Sequence, residues 1–387
     1  MAEEKVPDLL DASLLDVAQR LKDNNLKAQL IYAFNGTGKT RLSKEFVKFI
    51  STRKNIKDDE HDEISSLYFD EILYYNSFTE DLFYWDKDLN DNPKLKIHSN
   101  IFTKWILQDQ GKGEAVKEIV QKYINSKITA DFDENFDGVT FYFAGGDERG
   151  KKIVKISKGE ESIFIWSIFY ALIEEIISEI EEEEDDSSLN KFSQLKYIFI
   201  DDPISSLDEN HLIEMAIDTA ELIKKGIKGK ELKFIVTTHN AFFYNVLYQE
   251  LNKLSSKKGF LLDRDGTGKF SLKEKWGNSN QSFSYHLHIK SILDEAHKKN
   301  ELGKHHAMLL RNLYEKTASF LGYREWTDLL PSPQESYAQK LLNFYSHSRL
   351  SGETVVSLAE HERNMLSILL ENLNRYGYFR SGVKNND

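Results

Sequence analysis

Apolar runs along the chain end repeatedly on polar residues of a few kinds. QLIYAF, residues 29–34, is a β-prone stretch that passes into a glycine-containing turn and then a helical pattern. YIFIDD, residues 197–202, stays apolar until it reaches paired aspartates, as a buried parallel strand does. FIVTTHN, residues 234–240, is a further strand with His239 near its end, and KISKGEESIFIWSIFYALIEE, residues 155–175, opens a helix. DGTGKF, residues 265–270, continues into FSLKEKW and predicts a hairpin turn. LLRNLYEKTASF, residues 309–320, predicts a mostly buried helix, because Leu309, Leu310, Leu313, Tyr314, Phe320 and Leu321 surround Arg311 and Glu315.

A length of 387 residues suits two domains, and 40% hydrophobic with 12% aromatic residues is enough to build their cores. No apolar run approaches the ~20 residues of a membrane span. The first residues, MAEEKVPDLL, have no signal-peptide pattern, so a soluble, cytoplasmic protein without a membrane partner is expected. The absence of cysteine excludes disulfides, thiolate zinc sites and cysteine nucleophiles, leaving oxygen or imidazole for any metal. A net charge of −12 argues against nucleic acid as a partner, but the average conceals a division. Residues 251–387 carry +5 and residues 1–250 carry −17, with EIEEEEDDSS, residues 179–188, reading as a solvated acidic loop. There is no repeat and no Pro/Gly-rich linker.

AFNGTGKT, residues 33–40, fits the GxxxxGK[ST] spacing with Ala33 in place of the first glycine. Backbone N–H groups of such a loop cradle phosphates at a helix N-terminus. That assigns Asn35, Gly36 and Gly38 to the cradle, Lys39 to the β- and γ-phosphates, and Thr40 to Mg2+. Asp201 is expected in the Mg2+ shell, and Asp202 is expected to orient or deprotonate the attacking water. Paired acids at a strand end can be structural. Here SSLD, residues 205–208, follows at once and resembles the D-loop of ABC-type ATPases, with Asp208 as its acid. His239 then holds the switch-histidine position, and Ile156-Ser157-Lys158-Gly159-Glu160 resembles the ABC signature. The motif order across residues 33–239 is that of ABC ATPases. In that family Ser157 and Gly159 of one protomer would contact the γ-phosphate held by the P-loop of another, and Glu160 is a nucleotide-binding candidate with them. A head-to-tail homodimer or higher homo-oligomer is implied, and a monomer would be catalytically incomplete. Without a transmembrane domain or long coiled coil, transporter and chromosome-clamp readings lose ground.

What the hydrolysis drives has to be sought after residue 250. KEKWGNSNQSFSYHLHIK, residues 273–290, interleaves basic, aromatic and amide residues, a mixture suited to stacking on exposed bases and contacting phosphates. Lys275, Trp276, Asn278, Ser279 and Asn280 are its candidate RNA contacts, although a buried hairpin-to-helix junction would have a similar composition; His286 and His288 make a weak metal pair. Arg311 and Glu315 share a helix face at i,i+4, where an exposed salt bridge contributes only ~0.3–0.5 kcal/mol. NFYSHSRL, residues 343–350, adds His347. Arg, Glu and His suffice for RNA cleavage without a metal. An acid–base pair, Glu315 and His347 in either order, moves protons from the 2′-OH and to the 5′-oxygen, while Arg311 neutralises charge on the phosphorane.

With these residues the whole chain resembles the PrrC-type anticodon nuclease family. IYAFNGTGKTRLS, ILYYNSFTEDLFYWD, SKGEES, FIDDPISSLDENHLIE, SFSYHLH and LLRNLYEKTASFLGY look like its blocks, and Arg311, Glu315 and His347 fall on its nuclease triad. The resemblance implies an α/β ABC-type P-loop NTPase head, residues 1–260, followed by a mostly α-helical, HEPN-like tRNA-binding and nuclease domain, residues 261–387. It implies cleavage of tRNA-Lys beside the wobble base, leaving a 2′,3′-cyclic phosphate and a 5′-hydroxyl. GTP or ATP with Mg2+ would drive activation, and dTTP would be an effector. A type Ic restriction–modification complex would mask the enzyme until a phage-encoded peptide releases it. One departure is Asn278, where the resemblance places an aspartate after the glycine; the loss of charge puts a preference for a cationic wobble modification in question. ILYYNSFTEDLFYWD, residues 72–86, is either the Q-loop region or an effector site. The competing readings are a DNA-repair ATPase of the RecF kind, with Arg311–Glu315 structural, and a regulatory NTPase that cleaves nothing.

Overall fold

The longest apolar runs pair with one another at the centre of one sheet. The computed structural model describes residues 7–51, 68–69, 71–76, 83–86, 93–98, 101–124, 128–143, 152–181, 192, 194–203, 209–230, 232–265, 267–275, 285–347 and 358–376. The chain forms two units, Met1–Ser282 and Phe283–Asp387.

The first unit begins with β1 (Leu9–Ala12), α1 (Leu14–Asp23), β2 (Ala28–Tyr32), α2 (Lys39–Ile50), β3 (Tyr68–Phe69) and β4 (Ile72–Asn76). There follow β5 (Phe83–Trp85), β6 (Leu95–Ile97), α3 (Ile101–Lys104), α4 (Gly113–Tyr123), β7 (Ile128–Phe132), β8 (Gly138–Phe143), β9 (Ile153–Val154) and α5 (Lys158–Glu181). It closes with β10 (Tyr197–Asp201), α6 (Glu209–Lys230), β11 (Lys233–Thr238), α7 (Ala241–Glu250), β12 (Lys257–Arg264) and β13 (Phe270–Lys275). Among the described residues one sheet has the order β1-β13-β12-β2-β11-β10-β4-β3, with β12, β2, β11, β10 and β4 parallel and β1, β13 and β3 antiparallel to their neighbours. A smaller antiparallel sheet has the order β5-β6-β8-β7, with β9 on β8.

Every residue of β2, β4 and β10 is buried, which explains why these runs do not alternate. Val17 and Leu21 of α1 and Leu42 and Phe46 of α2 pack with Ile31, Phe199 and Ile235 in one core. On α5, Trp166 meets Tyr75 of the large sheet, while Phe164 meets Phe83, Phe132 and Phe141 of the small one. A helix in contact with both sheets needs apolar residues on most sides, as α5 has.

DGTGKF does form a hairpin turn, between β12 and β13. The division expected at 260/261 therefore falls inside β12, whereas the two units meet at 282/283. The basic composition begins before the sheet ends: β13 pairs with β1 through Leu272 and Leu9, so strand pairing keeps the hairpin in the first unit.

The second unit contains α8 (Tyr285–Lys298), α9 (Lys304–Leu321), α10 (Glu335–His347) and α11 (Glu360–Leu373) around a core of Leu310, Leu313, Tyr314, Leu342, Leu366 and Leu369. The buried face of α9 is Leu310, Leu313, Tyr314, Thr317 and Ala318. Phe320, expected inside, is 68% exposed, and Leu321 is exposed too. Both fall off the buried stripe in the last turn, before Gly322 ends the helix in the left-handed region at φ +78°. Among the described residues no helix is long and apolar enough to cross a membrane.

Candidate functional sites

β2 lies between β11 and β12, so the loop at its C-terminal end opens beside the ends of both. Gly36 and Gly38 take φ of +81° and +114°, which lets the loop turn before α2 begins at Lys39. The Lys39 ammonium lies 3.2 Å from the Ala33 carbonyl, 3.3 Å from Asn35 Oδ1 and 3.4 Å from Asp202 Oδ2. Parallel pairing sets Asp201 beside Thr237 on one side and Asn76 on the other. Asp201 is buried, which raises its pKa, and bonds donated by Thr237 (2.5 Å), Thr40 and Ser43 (3.2 Å) oppose the rise. Asp202 adopts φ +50°, an uncommon conformation for a non-glycine residue. It is held there because its N–H donates to the Thr237 carbonyl and its carboxylate accepts from Thr238 Oγ1, His239 N–H and the His239 ring at 2.7 Å. Thr40 and Asp201 are hard oxygen donors of the type Mg2+ takes alongside phosphates, so the pair fits that ion.

The signature residues open α5. Ser157 Oγ accepts from Glu160 N–H at 3.3 Å, and Ser157 N–H donates to the Glu160 carboxylate at 2.6 Å, a reciprocal cap. Gly159 sits in the first turn. Among the described residues no hydrogen bond or ion pair joins Ser157 or Gly159 to the P-loop of the same chain. The next residue, Glu161, is buried and accepts from Trp85 Nε1 at 2.9 Å and Lys158 Nζ at 3.0 Å. The 72–86 block thus reaches from Asn76, beside Asp201, to Trp85, beside the signature. Asp208 lies outside the described residues.

In the RNA-contact segment, Lys275 is half-buried with its ammonium 4.2 Å from the Tyr244 ring centroid, and burial pushes its pKa down to about 7. Trp276, Asn278, Ser279, Asn280 and the side chains of His286 and His288 lie outside the described residues. In the second unit Arg311 Nε donates to Glu315 Oε1 at 2.8 Å. The side chains are 15% and 43% exposed, so the pair stands at the rim of the core and not inside it. Arg311 also lies over the Trp326 ring, 5.4 Å from its centroid. Trp326 opens a 3-10 turn that ends at Leu329, whose carbonyl accepts from Asn372 Nδ2 at 2.8 Å; Asn372 also donates to the Tyr314 hydroxyl at 3.1 Å, and that hydroxyl donates to the Leu369 carbonyl. His347 is the last residue of α10, and its side chain lies outside the described residues. Tyr345 of α10 has Lys304 of α9 5.9 Å from its ring, which puts that end of α10 near the first turn of α9, about two turns before Arg311.

Ser43, Thr237 and Trp326 are absent from the motif reading. Ser43 could have been found one helical turn beyond Lys39 and Thr40, and Thr237 from the register with Asp201. No local signal marks Trp326, which reaches Arg311 only through the turn after α9.

The architecture is that of an ABC-type P-loop NTPase head followed by a helical unit. Over 367 residues the chain is 46% identical to an anticodon nuclease of Escherichia coli, covering 93% of this chain and 91% of that one. The chain belongs to the anticodon nuclease family, and membership carries enzymatic activity of this general kind on an ABC-type NTPase scaffold. The solved structure of an SmcHead bound to the C-winged helix domain of ScpA aligns at 16% identity and a TM-score of 0.31, covering 64% of this chain and 90% of that one, a likeness too low to bear on the fold. No family model matches the chain.

Proposed function

We propose that the chain is an NTP-regulated ribonuclease that cuts the tRNA-Lys anticodon loop beside the wobble base. Its first unit binds GTP or ATP with Asn35, Gly36, Gly38 and Lys39, and Thr40 and Asp201 would hold Mg2+, which supplies charge neutralisation at the phosphates. Asp202, oriented by His239, takes the proton of the attacking water. Ser157, Gly159 and Glu160 of a second copy complete the site, with Asp208 beside it. The observation that carries this half is the convergence on Asp202, with Lys39 at 3.4 Å and His239 at 2.7 Å.

In the second unit, Glu315 and His347 serve as the acid–base pair and Arg311 stabilises the phosphorane. One of the pair removes the 2′-OH proton, the 2′-oxygen bonds to phosphorus, and the 5′-oxygen leaves with a proton from the other. The products are a 2′,3′-cyclic phosphate and a 5′-hydroxyl, and no metal enters the step. Lys275, Trp276, Asn278, Ser279 and Asn280 contact the tRNA. The proposal extends to dTTP as effector, a type Ic restriction–modification complex as mask and a phage-encoded peptide as trigger; the family resemblance supports these.

The test is incubation of the full chain with NTP, Mg2+ and end-labelled host tRNA, followed by chelation once activation is complete. A cyclic end at one anticodon phosphate, still forming after chelation, is expected. NTP turnover without tRNA cleavage would favour the DNA-repair or regulatory ATPase reading instead, and cleavage that stops on chelation would overturn the metal-free step.

A further inference from the structure

The sheet order fixes which side of the P-loop faces which end of a triphosphate. Asp201, Asp202 and His239 stand at the ends of β10 and β11, on one flank of β2. With the γ-phosphate directed at that flank, the nucleoside falls on the other, where β12 runs parallel to β2. The β12–β2 register ends at Leu261↔Tyr32, and β12 continues three residues farther, to Arg264, alongside the loop. Arg264 pairs across the hairpin with Phe270 and lies 5.7 Å from its ring centroid. The Phe270 ring is pressed on the loop itself: a β-carbon at Gly38 would stand 3.4 Å from its edge.

From this we infer that Arg264 receives the nucleobase of the bound nucleoside triphosphate on its guanidinium. The inference rests on the P-loop reading of residues 33–40. Phe270 is buried and cannot itself take a base, whereas Arg264 is exposed and rests on Phe270. Among the described residues Arg264 makes no ion pair. Its acidic neighbours are occupied by the backbone: Asp263 accepts from Arg264 N–H at 2.8 Å, and Asp265 accepts from Thr267 N–H at 2.9 Å and Lys269 N–H at 2.8 Å. A planar cation with one face on an aromatic ring and its surroundings open to solvent is a stacking surface that lysine cannot reproduce.

Calorimetric titration of the full chain with the β,γ-imido analogues of GTP and ATP, in parallel with inorganic tripolyphosphate, tests the assignment. Arg264→Ala is expected to weaken analogue binding about tenfold, roughly 1.4 kcal/mol, with tripolyphosphate binding and the melting midpoint unchanged. Arg264→Lys should restore little of the loss. Wild-type analogue affinity in Arg264→Ala, an equal loss of tripolyphosphate affinity, or rescue by lysine would each overturn the stacking role. Lys39→Ala separates the two readings: it should lose analogue and tripolyphosphate together. If it retains both, the P-loop assignment fails; if it loses both while Arg264→Ala binds normally, only the Arg264 assignment does.

Discussion

Asp202 and Glu315 are both carboxylates facing a cation, but they sit in different solvents. Asp202 is 8% exposed, with Lys39 at 3.4 Å and His239 at 2.7 Å. Glu315 has a side chain 43% exposed, with Arg311 at 2.8 Å. A buried charge deprived of its partner costs about 3–5 kcal/mol, whereas an exposed pair contributes about 0–1 kcal/mol. In the first unit, then, the groups proposed for chemistry also hold the fold together. In the second, chemistry and stability can be separated by mutation.

The largest expected effect tests that separation. Alanine at Arg311, Glu315 or His347 should reduce tRNA cleavage roughly 10²–10⁴-fold, while urea unfolding shifts by less than about 1 kcal/mol for the Arg311 and Glu315 variants. A loss of 3 kcal/mol or more for Arg311→Ala, with cleavage retained, would make the pair a support and remove the contrast. In the first unit, Lys39→Met should abolish NTP-dependent activation and also destabilise that unit by on the order of 3 kcal/mol, measured by urea titration without nucleotide. An unchanged midpoint would mean that Thr238 and His239 satisfy Asp202 without the lysine.

A smaller effect sharpens the account of the exposed pair. Trp326→Leu should lower cleavage about fivefold, the equivalent of a cation–π contact near 1 kcal/mol, and the loss should appear in kcat and not in KM because tRNA binding is untouched. If KM alone rises, Trp326 contacts RNA and does not position Arg311. A separate effect concerns pH. Burial, with a lesser push from His305, lowers His306 to about 4, below its ordinary value of 6.5. Between those values the unfolded chain binds a proton that the folded chain refuses, so stability falls as pH drops from 6.5 towards 4 and is unaffected by His306 above that window. Urea midpoints at pH 7 and 5 should differ less in His306→Asn than in wild type; equal differences would refute the assignment.

The same contrast governs what can be read from sequence. The large sheet is legible because Ile198, Phe199 and Ile200, or Phe234, Ile235 and Val236, are buried on both faces, and that requirement writes a continuous apolar run. The P-loop is legible because its glycines and Lys39 lie within a few residues of one another. The rim position of Arg311 is not legible in the same way. Counting apolar neighbours places it inside the core, but Phe320 and Leu321 contribute to the count without contributing to the core. Trp326 meets α9 through the turn that follows it and Asn372 across a long stretch of chain, so only the folded packing of Tyr314, Leu329 and Leu369 reveals them.

β13 starts at Phe270, against the P-loop glycine, and ends at Lys275, a half-buried lysine. Six extended residues span about 20 Å, and the strand is paired with β12 over its whole length. One continuously paired strand therefore connects the ring packed on the P-loop glycine to the lysine proposed to contact RNA.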